Sequence, residues 1–330
     1  YNVELGWDGF LWKEKVNFFF NGGYLFEMEN YTVEKNIFKN YPHLGSYIWA
    51  FFWKNSWMKY EYLGRLFYDY IYIVSLFGIA ISFKKLKEFK KVLLIIFLFI
   101  CTYDNKLGGY QDYLIFSLIT IFATFLINNY YNKTKDKLFY ICFVFTGVLL
   151  PWIKNEGLIY SIFIIFIFLY YENKIKSKTK KNKNNYFPVI IIVLSLILKA
   201  YIFLIVLRED TLLQSEINYD YIFNMDFISF VNKVYYICYY SINSFFKYPI
   251  WLINLIGLII CIYNFRKIKL LSIFFLFLIL NFIFIFGVFL TTPYDIKWHL
   301  AASLDRLLLQ TSGFYILMFS VLFKNKIIKL

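Results

Sequence analysis

Between Lys269 and Asp295 the chain carries no charged residue; it reads LLSIFFLFLILNFIFIFGVFLTTPY. A helix needs ~20 apolar residues to cross a bilayer core. It must also satisfy its own backbone there, because no water is present to do so. Leu270–Leu290 meets both conditions. Comparable runs recur at Tyr60–Phe83, Val92–Tyr103, Tyr113–Tyr131, Leu138–Trp152, Leu158–Tyr171, Phe187–Leu207, Ile250–Phe265 and Leu309–Phe323. The expected fold is therefore all-α and integral to the membrane, a polytopic bundle of about nine to ten transmembrane helices.

Composition agrees. Hydrophobic residues make up 60% of the chain and aromatics 24%, against about 45–50% apolar in soluble domains. One transmembrane domain is expected over 1–330. Residues 1–59 form a first extracytoplasmic loop, 60–207 the first set of spans, 208–249 a second outer loop and 250–330 the last spans. The chain opens on Tyr1 in polar-aromatic sequence with no signal peptide, so a membrane helix is expected to precede Tyr1.

The net charge of +14 would suggest nucleic acid in a soluble protein. Here the lysines fall in short clusters between apolar runs, the pattern of cytoplasmic loops, and no nucleic-acid partner is expected. Lys84–Lys91, 132–137, 172–185, Arg266–Lys269 and Lys324–Lys329 alternate with Tyr1–Tyr60, 104–112, Ile153–Gly157, 208–249 and Thr291–Leu308. Charge and span order assign the first set to the cytoplasm and the second to the outside. Trp49, Trp53 and Trp57 mark His43–Ser56 as an interfacial or re-entrant helix, the other reading being a short span, and Phe227–Pro249 reads as an interfacial helix on the outer side. Glu172–Asn185 is a solvated linker. Cys101, Cys142, Cys238 and Cys261 are scattered without a C-x-x-C, which suits packing residues. His43 and His299 are too far apart in sequence to suggest a zinc site.

Unusual polar groups collect in the outer segments. They are Trp7-Asp8-Gly9, Lys106–Asp112 (KLGGYQD), Lys154-Asn155-Glu156-Gly157, and Ser303, Asp305, Arg306 and Gln310. Ser303, Arg306 and Gln310 share one helical face by spacing. Each group also fits a bland role: Asp8 a helix cap, Gly108-Gly109 a plain turn, Lys154 and Glu156 a snorkelling pair, Arg306 a headgroup anchor.

Taken in order, these segments resemble the GT-C glycosyltransferases: the dolichyl-phosphate-mannose protein mannosyltransferases, the aminoarabinose transferase of lipid A and their bacterial relatives. Trp7-Asp8-Gly9 with Trp12 and Lys13-Glu14-Lys15 resembles the W-D-x-W-x-x-K stretch of the family's first outer loop. Asn40-Tyr41-Pro42-His43-Leu44 is similar to its Y-P-P-L segment, with His43 in place of the second Pro. Glu61 and Gly64-Arg65 match the acid and Arg that open the next helix. Gly109-Tyr110-Gln111-Asp112 resembles G-Y-A-D, Lys154–Gly157 a K-N-E-G turn, and Ser303, Arg306-Leu307 and Gln310 an S-x-x-R-L…Q helix start. The chain departs from the family at His43 and shows no soluble C-terminal domain.

The resemblance implies an inverting glycosyltransferase of a bacterial inner (plasma) membrane with its active site on the extracytoplasmic face. It implies a polyprenyl-phosphate sugar donor and a glycan, lipid or protein acceptor. By resemblance Asp8 is the general base, with Gly9 beside it permitting close approach of substrate, Asp112 a second acid holding acceptor or a cation, and Lys154 and Arg306 the grip on the donor phosphate. Tyr41, His43, Glu156 and Gln310 complete the expected substrate site. No cofactor is demanded; a divalent ion, if used, would be a hard one such as Mg²⁺ or Mn²⁺ on oxygen ligands such as Asp8 or Asp112. The rival readings are a transporter or flippase, which calls for charges at the bilayer midplane and an internal repeat, and an O-antigen polymerase or ligase with a large late loop; no repeat is seen, and Lys199 is the main charge inside a span.

Overall fold

The computed structural model describes residues 5, 7–27, 41–101, 108–132, 137–176, 186–206, 225–325 and 327. Among the described residues there are α-helices and no strands. In chain order they are α1 (Trp7–Phe20), α2 (Leu44–Lys54), α3 (Tyr62–Ser82), α4 (Glu88–Cys101), α5 (Asp112–Asn132), α6 (Lys137–Ile153), α7 (Asn155–Tyr170), α8 (Phe187–Tyr201), α9 (Phe227–Lys247), α10 (Pro249–Asn264), α11 (Leu271–Thr291) and α12 (Ile296–Lys324). Single π-turns extend α7 over Tyr171–Lys176 and α8 over Ile202–Val206.

The chain is an integral membrane protein by this architecture. Among the described residues, 6 helices are long and apolar enough to cross a bilayer, and α9 with α10 makes a seventh if that pair, bent by 109°, is one span. The remaining expected spans are short: α6 has 17 residues and α4 has 14, below the ~20 of a full crossing.

α5 and α12 are the central pair, packed along each other and largely buried. α3, α6, α10 and α11 pack on this pair, α7 lies against α6 and α11, α8 against α6 and α4 against α3. In lipid, packing and interhelical hydrogen bonds hold such a bundle, since apolar surfaces gain little by leaving hydrocarbon. Asn281 of α11 donates to Thr311 Oγ1 (3.3 Å) and Tyr315 Oη (3.2 Å) of α12, and Asn254 of α10 reaches the Ser312 carbonyl at 3.4 Å.

Contacts sort the helix ends into two groups. At one end Asn129 meets Tyr171 (3.0 Å), Tyr170 meets Ser272 (2.9 Å) and Asn325 meets Tyr131 (2.9 Å). Lys84-Lys85, Arg266–Lys269 and Lys324 lie at this end. The other end gathers α1, α2, the starts of α5, α7 and α12, and the ends of α6 and α8. α9 lies against the start of α12 there: Ser244 Oγ donates to Asp305 at 2.6 Å and Lys247 pairs with it at 3.1 Å. The loops read as outer therefore share one end of the bundle. Those read as Lys-rich share the other; of the outer set 104–107 and 208–224, and of the Lys-rich set 133–136 and 177–185, lie outside the described residues.

Candidate functional site

Pro151 sits in the last turn of α6. It has no N–H, so the carbonyl four residues back, on Gly147, loses its helical partner. Ser161 of α7 supplies one, donating to Gly147 O at 2.7 Å. The carbonyl of Pro151 is itself an orphan of the helix end and accepts from Lys199 Nζ at 2.7 Å. The chain then breaks at Lys154, which is extended (φ −146°, ψ 162°), before α7 begins. Lys154 is thereby turned into the bundle, 3% exposed.

Its partner is Asp112, at the start of α5 and 1% exposed. Lys154 Nζ lies 3.1 Å from Asp112 Oδ1 and 3.2 Å from Glu156 Oε1. Gln310 Nε2, from α12, donates to the same Asp112 oxygen. Burial opposes the charge on Lys154, but Asp112 and Glu156 outweigh it and hold the ammonium's pKa above the ordinary lysine range. Glu156 also lies in the first turn of α7, where the helix dipole favours an acid.

The first loop closes over this junction. Lys15, 1% exposed, donates to the Tyr41 carbonyl at 2.7 Å and approaches His43 Nδ1 at 3.4 Å. An ammonium has no acceptor, so Nδ1 accepts and a neutral ring carries its proton on Nε2. Burial, reinforced by the Lys15 and Lys199 charges, holds the His43 pKa well below its ordinary value, so the ring is neutral. The imidazole stacks on Phe203 at 5.7 Å, and Tyr41 meets Trp12 edge-on at 5.1 Å. Tyr41 is close enough to Lys154 for its hydroxyl to bear on that charge.

Asp8 lies in the first turn of α1, in a helix where the sequence suggested loop; its side chain lies outside the described residues. Gly9 is read from sequence as a place for substrate to approach. The structure corrects that: a Cβ there would strike the carbonyl of Gly108, so backbone packs on backbone. Gly109, at φ +80°, completes this contact and admits Trp49, whose ring a Cβ would meet at 2.9 Å. The contact brings the backbone of the Trp7-Asp8-Gly9 segment against the turn that leads into Asp112.

Arg306, half-buried on α12, donates from Nε to the Ala302 carbonyl (3.0 Å) and from Nη2 to Ser303 Oγ (3.3 Å), and lies 5.6 Å over the Tyr110 ring. It stands about one turn from Gln310. Glu61 and Arg65 pair at 2.8 Å, and Arg65 lies 5.5 Å over Trp49, bracing α2 on α3.

Asp112, Lys154, Glu156 and Gln310 therefore meet directly, Tyr41 and His43 border them with Lys15, and Arg306 stands beside them on the Tyr110 turn. Sequence reasoning passed over Lys199, Tyr160 and Asn155 as site residues. Lys199 is read from sequence as a charge inside a span. It is fully buried at the end of α8, level with Pro151. Its place beside Pro151 depends on how α8 packs on α6, which no periodicity in the sequence announces. Asn155 lay within the K-N-E-G segment and carried its own signal.

Several buried polar atoms here have no hydrogen-bond partner among the described residues: Asp112 Oδ2, Gln310 Oε1, both amide atoms of Asn155, the Tyr160 hydroxyl and His43 Nε2. Unpaired buried polar groups are costly, and six atoms of mixed donor and acceptor type in one neighbourhood suit a polyhydroxylated, hydrogen-bonding ligand. Among the described side chains here Lys15, Lys154, Lys199 and Arg306 outnumber Asp112 and Glu156, so this neighbourhood also suits an anion. A divalent ion fits it poorly. Among the described residues no group of three or more His, Cys, Asp or Glu is placed to hold a metal. An ion on Asp112 would face the Lys154 ammonium at close range.

Comparison with protein-family models, curated proteins and solved structures finds no match to this chain.

Proposed function

We propose that this chain is a membrane glycosyltransferase that moves a sugar from a polyprenyl-phosphate donor to an extracytoplasmic acceptor. What supports the reading most is the Asp112–Lys154–Gln310 junction. It joins sequence-distant segments, each resembling a GT-C motif, at one end of the bundle and among unpaired polar atoms. Lys154, Lys199 and Arg306 would stabilise the departing lipid phosphate, as fixed cations do for developing anionic charge. Asn155, Gln310 and Tyr160 would hold sugar hydroxyls, and His43 Nε2–H would donate to a phosphate or hydroxyl oxygen. Asp8 would take the acceptor's proton.

The transporter reading rests on buried charge at mid-membrane. Lys199, its best candidate, lies level with Pro151 at the bundle end, which favours a surface-facing site. The sidedness proposed follows the lysine clusters: single cysteines at Lys85 and Asp295 should label from opposite faces, Asp295 from outside. The deciding experiment is turnover by the full-length protein in proteoliposomes with a panel of polyprenyl-phosphate sugars. Release of free polyprenyl phosphate with transfer of the sugar supports the reading, and movement of intact donor across the bilayer without bond cleavage overturns it.

A further inference from the structure

Away from this site, α4 packs on α3 but barely touches α10. The gap is a groove of about 480 Å³ floored by α12. Its walls are Leu86, Leu94 and Phe97 on one side and Ile253 on the other, over Ile316 and Phe319, with Lys90 at its rim. The groove runs toward the Lys-rich end of the bundle. Phe83 and Phe323 close that end with rings 5.8 Å apart. Each is followed directly by lysine, so Lys84-Lys85 and Lys324 leave the bundle side by side. Lys84 and Lys85 are exposed and close enough to bear electrostatically on Lys324, whose Nζ lies 3.1 Å from the Tyr131 ring centroid. The described acid closest in sequence, Glu88, is held by Lys91 at 2.7 Å.

A groove open to hydrocarbon takes an acyl chain whatever its lining. Here one end also carries converging like charges, which repel unless an anion lies between them. An apolar slot ending in a basic cluster matches one amphiphile: a chain with a phosphate at its head. We propose that the groove between α4, α10 and α12 holds one acyl chain of an anionic phospholipid, with Lys84, Lys85, Lys90 and Lys324 gripping its phosphate. This site is separate from the Asp112 junction, at the opposite end of the bundle, and does not depend on the glycosyltransferase reading. It would tie the protein's stability to the charge of the leaflet at its Lys-rich end.

The test is native mass spectrometry of the full chain in mild detergent, titrated with phosphatidylglycerol or with phosphatidylcholine of the same chains. The wild type should retain one phosphatidylglycerol at detergent levels that strip phosphatidylcholine. Lys84→Gln, Lys85→Gln and Lys324→Gln together should weaken phosphatidylglycerol retention by about 100-fold, the effect of several basic residues near anionic lipid. Leu93→Trp, at the lip of the groove and 48% exposed, should obstruct the slot and lose the lipid with every lysine in place. If that variant does not fold, Ile253→Phe serves the same purpose. Equal retention of both lipids by the wild type overturns the proposal. So does a groove-filled variant that keeps phosphatidylglycerol as the wild type does, since the lysines would then be attracting headgroups without a slot.

Discussion

Lys154 Nζ lies 3.1 Å from Asp112 Oδ1 across 42 positions of sequence, and both side chains are withdrawn from solvent. Two charges taken out of water lose their hydration, and only good geometry with further hydrogen bonds offsets that. Gln310 and Glu156 supply the extra contacts. The pair is thus a poor investment for stability and a good one for placing a charge where a ligand can meet it.

Breaking the pair on one side should be far worse than removing it. Lys154→Met leaves the Asp112 carboxylate buried with Gln310 alone and should destabilise by about 3–5 kcal/mol. Adding Asp112→Leu should recover much of that, because no buried charge then remains. Thermal unfolding of the detergent-solubilised variants measures both. A double variant less stable than Lys154→Met would mean that the pair itself holds the bundle together. Both variants should lack transferase activity.

His43 supplies a pH test. Its folded pKa is pushed down, by burial first and then by Lys15 and Lys199. Above the ordinary histidine value of about 6.5 the ring is neutral in both folded and unfolded chains, and it contributes no slope. As the pH falls through that value, the unfolded chain takes up a proton that the folded ring refuses. Stability should drop by up to ~1.4 kcal/mol per unit from this residue. His43→Phe, which can still stack on Phe203, should remove that part of the acid-side loss. Unfolding midpoints at pH 7 and pH 5 for both proteins give the comparison. Identical shifts would show that the ring is protonated in the folded protein.

The spans were legible because hydropathy is written residue by residue: Leu270–Leu290 is read from sequence and Leu271–Thr291 is found. α12 was only half legible. Its apolar part is read from Leu309, but the helix starts at Ile296, where Asp295 caps it by accepting from Trp298 N at 2.8 Å. Trp298, His299, Asp305 and Arg306 break up the apolar run, although Leu300, Leu304 and Leu307 keep a buried stripe at helical spacing. Asp112, Lys154 and Gln310 stood out as polar residues in apolar surroundings, yet their junction depends on how α5, α7 and α12 pack. Gly9 shows the same limit. A glycine beside an acid reads as access for substrate until the opposing backbone of Gly108 is in view.

Arg306 should matter for donor binding more than for folding. Its guanidinium can grip a phosphate through two parallel hydrogen bonds, and it already lies over Tyr110; a lysine reproduces neither the fork nor the planar stacking. Arg306→Lys and Arg306→Ala should both weaken binding of a polyprenyl-phosphate sugar, with unfolding midpoints close to wild type. Unchanged donor affinity in both would reduce Arg306 to an anchor for bulk lipid headgroups.

The sharpest prediction concerns Asp8. Its place in the first turn of α1 allows a purely structural role, since an acid at a helix start gains about 0.3–1 kcal/mol from the dipole and a lost cap costs ~1 kcal/mol. In that role Asp8→Asn is mild, because Asn caps as well as Asp. A base that takes the acceptor's proton behaves otherwise. Asn has the same shape but no basic oxygen, so Asp8→Asn should fold normally, bind donor as the wild type does, and lose about 10²-fold or more in turnover. The backbone contact of Gly9 with Gly108 holds this turn against the segment leading into Asp112, so a small side-chain change at position 8 should leave the frame in place. Gly9→Ala supplies the contrast: it should lower stability and activity together by separating the two segments. Turnover, donor affinity and unfolding midpoint on Asp8→Asn and Gly9→Ala distinguish a chemical role from a structural one. Near-wild-type turnover by Asp8→Asn would remove Asp8 from the mechanism and leave Glu4 or Glu14, its neighbours in sequence, as the acids to test.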